Sequence, residues 1–185
     1  MIELICLYKE TQIRKKFPEG TSLFQIALEL DIKLQYPILG ALVNNKVKEM
    51  TYKVYKPKLI EFIDFSHNTG YQMYLRSLSF VLYHAVKKLY PDATLNIHHS
   101  ISGGKYCEID NLGIPLSQHV IDNIKTQMDE IVCKNLPFLR EELLTADALQ
   151  LFEQHNMFDK VLLFRTRKLL YTSVYHLGDS IKDRK

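Results

Sequence analysis

A chain of 185 residues can form one domain or two small ones, and 46% hydrophobic with 24% charged side chains marks it as globular, neither disordered nor fibrous. A net charge of +3 is too small to imply a nucleic-acid partner by itself. Its apolar runs fall short of the roughly 20 residues needed to span a bilayer, and MIELICLYKE lacks a basic leader, so a cytoplasmic protein with no membrane partner is expected.

Residues 2–8 are β-branched and aromatic, 9–12 are polar, and 13–17 are extended again, which predicts a hairpin. Pro18-Glu19-Gly20 is a turn. Ser22 with Gln25 three residues on is a capping box, opening a helix with Leu23, Ile26, Ala27 and Leu30 on its buried stripe. After Pro37 the pattern predicts a strand over 38–43, then a tight turn at Asn44-Asn45, because asparagine tolerates left-handed backbone. Chain from Lys46 onward pairs with it, and a last strand lies near 59–65. Residues 1–66 thus read as a small β-grasp, ubiquitin-like domain, with His67-Asn68-Thr69-Gly70 as the linker.

The second domain, 71–180, opens on a long helix over 71–91. Leu75, Leu78, Leu82, Ala85 and Leu89 step by three and four, with Val81 and Val86 widening the stripe, and Pro91 stops the helix. Strands over 94–101 and 105–109 flank Ser102-Gly103-Gly104, a second hairpin. Ser117 caps another long helix with Val120, Ile121, Ile124, Met128, Ile131 and Val132 on one face, ended by Asn135-Leu136-Pro137. A strand at 138–143, a helix capped by Thr145 and running to Gln154, and extended runs at 160–164 and 169–177 complete the chain. The fold class is α+β, with helices packed on antiparallel sheet.

Few residues offer chemistry. Gly103-Gly104-Lys105 is no phosphate loop: His99 stands where the first glycine belongs, and Tyr106 where magnesium needs a hydroxyl. His98 and His99 are the one close pair among seven histidines, and neighbours on a regular strand point to opposite faces. Cys6, Cys107 and Cys133, without a CxxC pair, fit reduced thiols better than a disulfide framework or a zinc ribbon. Lys46, Lys48, Lys53, Lys56 and Lys58, with Tyr52 and Tyr55 between them, are a candidate nucleic-acid surface; the plainer reading is a solvated hairpin with lysines guarding an edge.

The strings FPEGTSLFQIALEL, GALVNNKVKEMTYKV and LIEFIDF resemble the TGS domain of threonyl-tRNA synthetases and certain GTPases. HAVKKLYPDATLNI, ISGGKYCEID, VIDNIKTQMDEIVCKNLPF and FLREELLTADALQLF resemble, in order, the second additional domain of threonyl- and alanyl-tRNA synthetases. That resemblance implies a site that removes a wrongly attached amino acid from tRNA, built from HxxxH on the long helix and a later CxxxH. Counting back from His84-Ala85-Val86, the HxxxH positions hold Arg76 and Phe80, neither of which can ligate a metal or act as a base. No cysteine follows Cys133 and the last histidine is His176, so the later pair has no counterpart. The fold is implied without the editing reaction: no catalytic residue and no metal ligand is expected.

YLRSLSFVLYHAV and LYTSVYHLGD are similar to the amino-terminal half of bacterial uridine kinases, nucleoside kinases that continue into a phosphate-loop domain. This implies either a fragment of a longer kinase, the preferred reading, or a natural stand-alone version of its amino-terminal half, with ATP and magnesium held by the kinase domain and no cofactor here. The expectation is an accessory module binding RNA, tRNA or a nucleotide in a cleft walled by Arg76, Phe80, His98, His99, Lys105 and Tyr106. One alternative is an aminoacyl-ester hydrolase using His84, His98, His99 and Cys107. The other is a structural module that packs on the kinase domain or forms a homo-oligomer.

Overall fold

The computed structural model describes residues 1–8 and 11–178. The polar turn at 9–10, and residues 179–185 where the kinase junction is expected, lie outside the described residues. The architecture is α+β, and the chain divides into two compact units, Met1–Ile124 and Lys125–Lys185.

In the first unit β1 (Ile2–Tyr8) and β2 (Thr11–Phe17) form the expected hairpin. β3 (Thr21–Ser22) leads into α1 (Leu23–Glu29), and the capping box forms as read: the Gln25 amide donates to the Ser22 hydroxyl while the Ser22 amide donates to the Gln25 side chain. β4 (Gly40–Val43) and β5 (Lys46–Lys48) are joined by Asn44 and Asn45, both at positive φ, 47° and 60°. β6 (Lys53–Val54) pairs with β3, and β7 (Lys58–Ile63) runs parallel to β1 at the centre of a five-stranded sheet ordered β2-β1-β7-β4-β5. Alternation puts Ile2, Leu4, Cys6, Ile60, Phe62, Ala41 and Val43 inward, where they meet Leu23, Ile26 and Ala27 of α1 in one buried core.

The expected linker is instead the start of a helix. α2 spans Asn68–Leu89, with His67 as its N-cap: the ring Nδ1 accepts from the Thr69 amide at 3.1 Å. Packing explains the difference. Gly70 lies so close to the backbone of Asp64 that a Cβ there would sit 1.8 Å from the Asp64 carbonyl oxygen, and Met73 reaches the bare Cα of Gly40. Phe65 meets Tyr36, Tyr71 and Tyr74 edge-on at 5.1–5.9 Å. The apolar stripe of α2 is also narrower than its pattern: Val81, Ala85 and Val86 are buried, whereas Leu78 and Leu89 are exposed.

β8 (Thr94–Ile101) and β9 (Gly104–Asp110) form a two-stranded sheet around Ser102 and Gly103, both at positive φ. α3 (Gln118–Cys133) runs across the division between the units. Its buried line is Val120, Ile124, Gln127 and Ile131; Ile121 and Val132, expected on that face, are exposed.

In the second unit β10 (Phe138–Leu144) pairs antiparallel with β11 (Tyr171–Leu177), and both pack on α4 (Thr145–Gln154). Thr145 does not cap α4, since its hydroxyl donates to the Leu169 carbonyl at 2.6 Å and Leu144 occupies the cap without a side-chain bond. The run at 160–164, read as extended, is helical: α5 covers Phe158–Arg165, burying Val161 and setting Phe164 against Phe152 at 5.4 Å. A short apolar run does not distinguish strand from buried helix by its own periodicity.

Candidate functional site

The residues nominated from sequence fall into three groups. Arg76 is exposed and Phe80 half-buried on α2, which packs against β8. They sit four residues apart, on one flank of the helix. The lysines are divided between two sheets. Lys46 and Lys48 lie on β5, Lys53 on β6 and Lys58 on β7, with Lys56 between the last two. Lys48 covers the Tyr52 ring, its Nζ 4.7 Å from the centroid, while Lys46, Lys53 and Lys56 are exposed.

The third group is brought together by a device that the sequence reading did not foresee. In the β8–β9 ladder Ile97 faces Cys107 and Ser100 faces Lys105, so His98 and His99 together oppose the single residue Tyr106. This is a β-bulge, and it breaks the alternation that sends neighbouring side chains to opposite faces. Both imidazoles consequently lie beside the Tyr106 ring, with centroids at 5.7 and 5.9 Å and planes tilted by 32° and 35°. The expectation that the two histidines part company is corrected.

Glu108, two residues on along β9, shares the face of Tyr106 and completes the group. Its Oε1 accepts from the Tyr106 hydroxyl at 2.7 Å and its Oε2 meets His98 Nε2 at 3.0 Å. The phenol, then the imidazole, hold this carboxyl below the usual carboxylate range, and the same bond pushes the Tyr106 hydroxyl up. Farther along the face Asn96 donates to Asp110 at 2.8 Å. Glu108 escaped notice because its meeting with His98 depends on the pairing of Asn96 with Glu108 and of Ile97 with Cys107, which only the two strands together reveal. A tight turn at Ser102-Gly103 was legible; the extra residue was not.

The set required for a hydrolase does not assemble in the same way. Cys107 alternates with Tyr106 and Glu108 and so faces away from them, opposite Ile97. Burial pushes its thiol up, with Lys105 opposing weakly, which lowers the supply of thiolate. Among the described residues no group of three or more His, Cys, Asp or Glu is placed to hold a metal ion. His84 is half-buried on α2.

Two further features are independent of this face. In the second unit the mostly buried His176 has neither ring nitrogen hydrogen-bonded, and its Nε2 lies 3.7 Å from Glu141 Oε1, with Leu139 directly across the ladder. In the first unit a groove of about 580 Å³ runs along α1, lined by Phe24, Leu28, Ile32, Tyr36 and Met50, and contains none of the nominated ligand residues of α2 or the hairpin.

No protein-family model matches this chain. It is similar to the threonine–tRNA ligase of Clostridium kluyveri, 31% identical over 157 residues, which is 85% of this chain and 24% of that protein. The corresponding ligase of Syntrophomonas wolfei is 29% identical over 143 residues, 77% of this chain and 22% of the relative. That of Streptococcus pyogenes is 27% identical over 167 residues, 90% of this chain and 26% of the relative. No helix of the described residues is long and apolar enough to cross a membrane. The chain therefore spans about a quarter of the length of the threonine–tRNA ligases it resembles, and most of its own length is covered by that likeness.

Proposed function

We propose that this chain is a non-catalytic accessory module that binds RNA, with tRNA the ligand that the name of its relatives suggests. The observation carrying this reading is the pairing of what is missing with what replaces it. Where the resembled editing helix has two imidazoles, α2 holds a guanidinium and a benzyl ring, Arg76 and Phe80. The first suits a phosphate and the second a base, and neither moves a proton. The hairpin packed against α2 adds exposed imidazoles and a phenol, and the β-grasp unit adds exposed lysines.

The test is a titration of the purified chain with tRNA and, separately, with uridine nucleotides, at low and moderate salt. Saturable binding that weakens as salt rises is expected, because neutralised phosphates release counterions. Absence of saturable binding to either ligand overturns the reading. The likeness to uridine kinases extends the proposal to the parent chain: a phosphate-loop domain would hold ATP and magnesium, and no residue described here would. A search of the reading frame beyond Lys185 for GxxxxGK[ST] decides that part.

A hydrolytic reading has one point in its favour, the likeness to proteins that handle aminoacyl-tRNA. Deacylation of mischarged tRNA that disappears in His99→Ala or Cys107→Ala would establish it. The opposed faces of Cys107 and Tyr106 lead us to expect no activity.

A further inference from the structure

The bulged tip of the β8–β9 hairpin has a construction that a solvated loop does not require. An exposed aromatic residue ordinarily samples several rotamers, yet the Tyr106 hydroxyl is tied to Glu108 while an imidazole stands beside the ring from each of two successive residues. Tyr106 stays 43% exposed, so the fixed ring is presented to solvent rather than packed away. Lys105 next to it is exposed, and the nitrogens of His99 have no hydrogen-bond partner among the described residues.

We propose that His98, Tyr106 and His99 form a stacking platform for an unpaired nucleotide, and that this platform grips its ligand more tightly when the imidazoles are protonated. The inference rests on the RNA-binding reading and narrows it to single-stranded segments and to this face of the hairpin. Three rings on one exposed surface offer π faces that every base can use, whereas the bases of a duplex keep their own faces covered. Immobilising the phenol beforehand removes part of the ordering cost of binding.

Charge supplies the proton dependence. Glu108 is the anion closest to the platform and repels a phosphate while His98 is neutral. A proton on His98 turns the 3.0 Å contact into an ion pair and cancels that repulsion, and a proton on His99 adds a cation facing solvent. Other charged groups around β8 come from the two elements beside it. From β9 they are Lys105 and Asp110, the latter bonded to Asn96. From α2 they are Arg76, Lys87 and Lys88, Lys87 being bonded to the Pro91 carbonyl. α2 also carries the imidazole of His84, and His84→Gln serves as its control.

The experiment measures the anisotropy of a labelled single-stranded oligouridylate, and of a duplex of matched length, at about pH 6 and about pH 8 and constant ionic strength. Tighter binding of the single strand at the lower pH is expected. Tyr106→Leu should weaken it about tenfold at both. His99→Gln should lessen the pH dependence and His98→Gln with His99→Gln should abolish it, His84→Gln should leave it in place, and Glu108→Gln should tighten binding at the higher pH. In the wild-type chain the imidazole resonances of His98 and His99 should shift on adding oligouridylate, a readout that needs no variant to fold. Binding that ignores pH, that ignores Tyr106→Leu, or that leaves both resonances unmoved overturns this inference, and if tRNA still binds saturably the RNA-binding reading survives it. Absence of binding by any RNA overturns both.

Discussion

At the scale of single residues, two contacts decide how the β-grasp sheet passes into α2. Gly70 is a helical position where alanine has the better intrinsic propensity by about 1 kcal/mol. The expected outcome of Gly70→Ala is nevertheless a loss of about 3 kcal/mol or more, because the new methyl would meet the Asp64 carbonyl oxygen at 1.8 Å and the backbone must move. Urea unfolding measures it, and a stabilised variant would refute the packing described. Asp64 itself is buried and accepts from the Ser66 hydroxyl at 2.5 Å, the Ser66 amide at 2.8 Å and the Tyr36 amide at 3.0 Å. The Ser66 hydroxyl chiefly, with the amides, holds its carboxyl below the usual range against the opposing effect of burial. A folded state with the lower pKa binds fewer protons than the unfolded chain. Its contribution is therefore complete above the unfolded value of about 3.9 and is lost as pH falls through the folded one. Wild-type stability should drop on acidification below about pH 4 more steeply than that of Asp64→Asn, which should already be weaker at neutral pH by about 2 kcal/mol.

Turns and caps operate at the scale of elements, where sequence signals proved readable. Asn44 and Asn45 both take left-handed backbone, but Asn44 also bonds through its side chain, Oδ1 accepting from the Leu59 amide at 2.9 Å. Asn45→Gly should leave the protein unchanged or stabilise it by a few tenths of a kcal/mol, roughly, since glycine meets no penalty there. Asn44→Gly should cost about 1 kcal/mol through the lost bond. Thermal melts of the two variants, in opposite order, would contradict this assignment. Ser22→Ala should likewise cost about 1 kcal/mol, through the capping box on α1.

Across the whole molecule, the three thiols report how firmly each region is closed. Cys6 is buried in the β-grasp core and pushed up to about 11, Cys107 is half-buried on the hairpin, and Cys133 is exposed at the end of α3. Near neutral pH a disulfide reagent should modify Cys133 first and Cys107 more slowly. Cys6 should react only at the rate of unfolding, since burial denies it both thiolate character and access. Early labelling of Cys6 would show that the first unit opens without unfolding. The second unit leaves Phe158, Leu162, Leu169, Leu170 and Tyr171 exposed, more apolar surface than isolated exposed leucines would present. Sedimentation of the intact chain over a range of concentrations therefore belongs beside the binding titrations.

The order of strand-like and helix-like periods was enough to determine the α+β class, and local chemistry was enough for both tight turns, the capping box and the end of α2, since each of these depends on residues within one turn of one another. The absence of imidazoles at 76 and 80 was equally plain. Only tertiary packing decided that 67–70 begins a helix, because the reason lies in how near Gly70 comes to Asp64. The helix at 158–165 buries Val161 and sets Phe164 against Phe152, placements that no period in the run announces. The face of the hairpin was settled by strand register. The pairing of Asn96 with Glu108 set that carboxylate beside His98, one extra residue opposite Tyr106 brought His99 to the same ring, and a pairing between two strands is a relation that neither strand carries alone.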